Sequence, residues 1–102
     1  MPSYIQTITF STSKIDDVLK LGAEFRDKGA AAEDGPKPIR ISVCADRDVP
    51  GRYTTVVEFP SYEEAMASSN HPDTQEFAKA MSDLCDGPPT FANLDILTQY
   101  QP

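Results

Sequence analysis

The chain has 102 residues, 39% of them hydrophobic, and a formal charge of -7 at pH 7; that is enough for one domain with one modest core, spanning 1–102. The acidic balance argues against nucleic acid as a partner, because phosphate affinity needs clustered cations and the nine Lys and Arg are scattered between Lys14 and Lys79. No apolar run approaches the roughly 18 to 20 residues of a membrane span, and the opening MPSYIQTITF lacks a basic region followed by an apolar core, so no membrane association and a cytoplasmic location are expected.

Tyr4 to Phe10 alternates Ile, Thr and aromatic residues and is predicted as a strand, with capping hydroxyls following at Ser11, Thr12 and Ser13. A helix is expected from about Lys14, since Ile15, Val18, Leu19, Gly22 and Phe25 fall on one face while Asp16, Asp17, Lys20, Glu24 and Asp27 face water. Gly29 can end it in a left-handed cap, and the Ala- and Pro-containing segment to Lys37 reads as a surface connection. Ile39 to Ala45 has the period of a strand, with Ile39, Ile41, Val43 and Ala45 on one side and Arg40, Ser42 and Cys44 on the other. It should pair with Tyr53–Phe59 through a loop holding Pro50–Gly51, the order a type II turn needs.

Pro60 stops that second strand, and Ser61 with Glu64 forms a capping-box signature that starts a helix at Tyr62. The helix is expected to break at Asn70–His71, because Pro72 suits the first position of a new one. Thr74, Phe77, Ala78, Met81, Leu84 and Cys85 form the next apolar stripe, which stops at Asp86–Gly87–Pro88–Pro89, and the last strand is predicted as Phe91–Tyr100. Cys44 and Cys85 lack a metal-binding or redox spacing and are expected as buried free thiols. Asp46 and Asp48 are only a fragment of a calcium loop, so no metal is expected.

The order β-α-β-β-α-β with a split second helix predicts an α+β, ferredoxin-like, four-stranded antiparallel sheet with the helices on one face. The other face, carrying residues such as Val56 or Val57, Cys44, and Ile96 or Leu97, needs a cover, and a second copy in a homodimer is the natural one.

The element order and the run VVEFPSYEEAMASSNHPDTQEF resemble the dimeric α+β barrel superfamily, in particular antibiotic-biosynthesis-monooxygenase-like proteins. Phe59, Ser61–Glu64, Asn70–His71–Pro72 and Phe77 carry the resemblance. It implies a homodimer that binds a small molecule and a cofactor-independent oxygenation of aromatic or polyketide-like compounds. Other activities in the superfamily, including haem degradation, and a non-catalytic ligand-binding or dimerisation module are the alternatives.

Several residues are candidates for such a site. His71 could serve as a general base or an axial iron ligand, yet a His before Pro also serves as a helix cap. Asn70 could donate to an oxyanion or act as a cap. Tyr62, Tyr53 and Tyr4 could offer phenol hydroxyls or simply pack, and Arg52 or Arg40 could meet an anionic group or water. Phe59, Met66 and Phe77 are expected to supply apolar contact with the substrate. If Tyr62, Met66, Phe77 and Met81 instead fill the space between helices and sheet, the non-catalytic binding or structural reading is the one favoured.

Overall fold

In the computed structural model, which describes residues 4–31 and 38–100, the elements run β1 (Tyr4–Ser11), α1 (Ile15–Ala31), β2 (Arg40–Ala45), β3 (Arg52–Phe59), α2 (Tyr62–Asn70), α3 (Pro72–Leu84) and β4 (Thr90–Asp95). The strands form one sheet in the order β2-β3-β1-β4 with every neighbouring pair antiparallel. This is the expected ferredoxin-like plan. Since β2 runs with β1 and against β3, α1 must travel opposite to β1, whereas α3, which connects β3 to β4, travels with β1. The two long helices are therefore antiparallel.

The register decides which side chains share a face. Tyr4 lies opposite Phe59, Ile8 opposite Thr55 and Phe91, Phe10 opposite Tyr53, and Val57 opposite Ile41. Because alternate residues point the same way, these side chains form one face, and all three helices lie on it. Ala65 of α2, with no exposed surface, packs on Tyr4 and Phe59. Val18 of α1 and Met81 of α3 pack on Phe10. The opposite face carries Ile5, Thr54, Val56, Cys44 and Leu94, and here Cys44 is exposed, contrary to the expectation of burial. A side chain on this face is buried only if something covers it, and among the described residues no helix does so on this side.

Local chemistry fixes the ends of the elements. Thr12 is buried between three of them: its hydroxyl donates to the Leu84 carbonyl at the end of α3 and accepts from the Lys14 amide at the start of α1, while its own amide donates to the Gly51 carbonyl. Gly51 has φ +83°, where a side chain is strained, and the Arg52 amide closes the turn on the Val49 carbonyl. Pro50–Gly51 thus makes the turn the sequence predicts. Ser61 caps α2 by accepting from the Glu64 amide at 3.2 Å.

Two boundaries differ from expectation by more than one residue. Helix α1 runs through Gly29 to Ala31, since glycine permits a left-handed cap without requiring one, and the expected surface connection over residues 32–37 lies outside the described residues. Strand β4 ends at Asp95 instead of Tyr100: Asp95 pairs with Tyr4, the first residue of β1, so Ile96 and the residues after it have no described strand opposite them. The β-like pattern of the tail is real, but a ladder needs a second strand.

Candidate functional site

Only six hydrophobic side chains are buried among the described residues, and they fall into two clusters. One gathers Tyr4, Phe59 and Ala65, the other Phe10, Val18 and Met81. Between them the helices and the sheet leave a cavity of about 650 Å³, within the usual range for a small-molecule site. Its floor is the sheet, through Ile8, Ile41, Val57, Phe59 and Phe91. Its roof is α1, through Val18, Leu19, Gly22 and Phe25, and α3, through Phe77, Ala78 and Met81. Phe25 and Phe77 stack at 4.6 Å between ring centres with planes 19° apart, which ties the two helices together at the cavity wall.

The wall is sparing in polar groups. Thr55, Ser68 and Thr74 bring hydroxyls to it, and Arg26 and Arg40 bring charge. Arg40 lies opposite Glu58 in the ladder, so its side chain belongs to the other face of the sheet and reaches only the rim. Arg26 is one turn beyond Gly22 on α1, and its Nη1 lies 3.4 Å from where a Cβ on Gly22 would stand, so the guanidinium folds back over the glycine at the cavity mouth. No Asp, Glu, His, Lys, Cys or Tyr lines the cavity among the described residues. The Thr74 hydroxyl is buried and has no hydrogen-bond partner.

The residues expected to form a site divide sharply. Phe59 and Phe77 line the cavity. Met66 packs outside it, against Tyr4, Phe59 and Ala65, and Tyr62 is 55% exposed with its ring edge-on to Tyr4. Tyr53 stacks on Phe10 in the second cluster. Arg52 is bound through Nε and Nη2 to the Asp46 carboxylate, at 3.1 and 2.8 Å, where it braces the hairpin loop. Asp46 also accepts from the Asp48 and Val49 amides, and its bond to Arg52 is the main reason its carboxyl titrates below the usual range. Neither Arg52 nor Tyr53 faces the cavity.

Asn70 is exposed at the last residue of α2. His71 has extended backbone, φ -70° and ψ 135°, and its Nδ1 accepts from the Asp73 amide at 3.1 Å, capping α3. That bond uses the basic lone pair of the neutral ring, leaving Nε2–H as a donor. The residues on either side of the break, Ser68 and Thr74, both line the cavity, so the break borders it although His71 does not. Pro72 is the cause: it prevents α2 from continuing and turns the chain where the cavity needs a wall.

No family model matches the chain, and no curated protein does. Solved structures do match. SnoaB, a cofactor-independent oxygenase from Streptomyces nogalater, superposes with a TM-score of 0.75 at 14% identity, over 100% of this chain and 97% of its own. An antibiotic biosynthesis monooxygenase-like protein from Caulobacter crescentus gives 0.77 at 16% identity, over 95% and 92%. The chain has the antibiotic biosynthesis monooxygenase-like fold. A conserved protein from Methanosarcina mazei shares that fold as well, with a TM-score of 0.76 at 12% identity over 92% of each chain. At such identities the likeness is one of architecture, and in this chain the monooxygenase-like fold encloses its own set of side chains.

Proposed function

We propose that this protein is a small-molecule-binding homodimer that oxygenates aromatic or polyketide-like compounds without a cofactor. The observation that carries the reading is the open cavity of about 650 Å³ between helices and sheet. Tyr62 and Met66 pack elsewhere, while Phe77 and Met81 form part of its wall and leave the space empty. Its mostly aliphatic and aromatic lining suits a flat apolar ring system. The likeness to SnoaB supports the choice of chemistry.

In such a reaction the substrate supplies the electrons. A phenol-type ring that has lost its proton to water passes an electron to O₂, the pair recombines with a new C–O bond, and the peroxide anion takes a proton back from water and then loses water to leave a quinone. One oxygen atom ends in the product and one in water, and the four electrons come from the ring. The protein's part is to hold the ring, exclude bulk water and stabilise the negative charge. Phe59 and Phe77 belong to the wall, and His71 fixes the helix break that places Ser68 and Thr74 there.

A non-catalytic ligand-binding module is the second reading, favoured by the absence of a side chain able to act as a base from the described cavity wall. Oxygen consumption separates the two. With a hydroxynaphthalene and no added metal or flavin, the enzyme reading expects protein-dependent uptake of one O₂ per quinone formed; binding without uptake leaves the module.

The homodimer draws support from exposed apolar side chains away from the cavity: Leu94 on the uncovered sheet face is 46% exposed, and Leu97 and Tyr100 in the tail are 94% and 85% exposed. A second copy of the sheet would cover the face. Light scattering at micromolar concentration should give twice the chain mass, and a monomer would refute the assembly.

A further inference from the structure

The cavity wall differs from the rest of this protein in charge. The chain carries 16 Asp and Glu against nine Lys and Arg, yet the described wall contains no carboxylate and its two charged residues are both arginines. With no carboxylate, imidazole, amine, thiol or phenol there to take a proton, the wall has no ordinary means of ionising a neutral ligand. It does have Arg26 folded over Gly22 at the mouth, a permanent cation with a planar array of donors. We propose that the cavity takes an aromatic ligand that is already anionic, with Arg26 meeting the negative group at the mouth and Thr74 bonding a second polar group of the ligand inside. The proposal rests on the reading of the cavity as a ligand site.

Two features of the fold favour this pairing. Arg26 follows Phe25, Thr74 lies one turn before Phe77, and Phe25 and Phe77 stack. Because α1 and α3 are antiparallel, the steps from Phe25 to Arg26 and from Phe77 back to Thr74 lead toward the same end of the cavity. The buried, unpartnered Thr74 hydroxyl is the second feature. Threonine in a helix occupies two rotamers, and a turn of about 120° about Cα–Cβ carries the hydroxyl to the position another Cβ substituent held. A ligand group at the wall then gives Oγ1 the hydrogen bond that the empty protein does not.

The test compares 2-naphthoate with 2-naphthamide, two probes of nearly equal size of which only the first is charged. Titration calorimetry on the wild-type protein should show the acid bound about tenfold more tightly, the lower end for a charge-assisted bond at a partly solvated mouth. Arg26→Gln should abolish that preference, lowering the acid's affinity far more than the amide's. Ala78→Leu, which narrows the cavity without altering its charge, should weaken both probes together. Equal wild-type affinities, or a preference that survives Arg26→Gln, would overturn the anion assignment; if Ala78→Leu still weakened both probes, the cavity itself would stand as a ligand site. Binding of neither probe at millimolar concentration would overturn both readings.

Discussion

Replacing Thr74 by Val exchanges a hydroxyl for a methyl of nearly the same size. Both residues are β-branched and close in helix propensity, so the helix itself is little affected. What changes is a buried hydroxyl that bonds to nothing in the empty protein. Leaving such a group unsatisfied costs about 1–3 kcal/mol, and Thr74 is only half-buried as a residue, which places the gain from Thr74→Val near the low end, about 1 kcal/mol. For a chain of this size that is a rise in Tm of roughly 4 °C. Urea unfolding of the ligand-free protein should show a higher midpoint at an unchanged slope. Affinity should move the other way, with a probe that bonds Oγ1 losing several-fold, about 1 kcal/mol. A variant that is less stable than wild type would show that the hydroxyl already has a partner, and would remove Thr74 from the binding account.

Three further outcomes follow from the geometry. His71→Ala removes the cap on α3 and should cost about 1 kcal/mol by urea unfolding; with the basic lone pair already committed to Asp73, turnover on any productive substrate should fall by far less than the roughly hundredfold expected of a lost general base. Cys44 is exposed, whereas burial foremost, and then the neighbouring Asp86, push the Cys85 thiol up, so iodoacetamide should label Cys44 first in a mass-resolved time course. The Asp46 carboxyl is depressed chiefly by Arg52, so the stabilisation it gives the hairpin is present above the unfolded-state value and is lost as pH falls through the lower folded one. An NMR titration should find Asp46 protonating at lower pH in the wild type than in Arg52→Gln.

The local rules written into the chain carried most of the fold. Pro60, Ser61, Glu64 and Pro72 mark a stop, a cap and a restart, and each is observed where its backbone chemistry puts it. Strand alternation likewise identified the face on which Ile41 and Val43 meet the cavity. The end of β4 could not be read because pairing depends on the length of a distant strand. The site was legible only in its apolar part. Phe59 and Phe77 follow from the stripe and from the resemblance, but the chemistry that recommends Arg52, Tyr53, Tyr62 and Met66 does not say which way their side chains turn, and the fold places them on the hairpin, in the two clusters or at the surface. Arg26 was missed because its charge sits beside the apolar stripe of α1 like any solvent-facing residue. The one signal was Gly22 within that stripe, a gap one turn away over which a long side chain can fold.

The central claim is that the space between α1, α3 and the sheet receives a ligand. The most direct measurement is methyl NMR of the protein labelled at Ile, Leu, Val and Met, titrated with 2-naphthoate. Saturable shifts concentrated on Ile8, Ile41, Val57 and Met81, which surround the cavity from both layers, are the predicted result. Shifts confined to Ile5, Val56 and Leu94 on the opposite face, or none up to millimolar ligand, would contradict it.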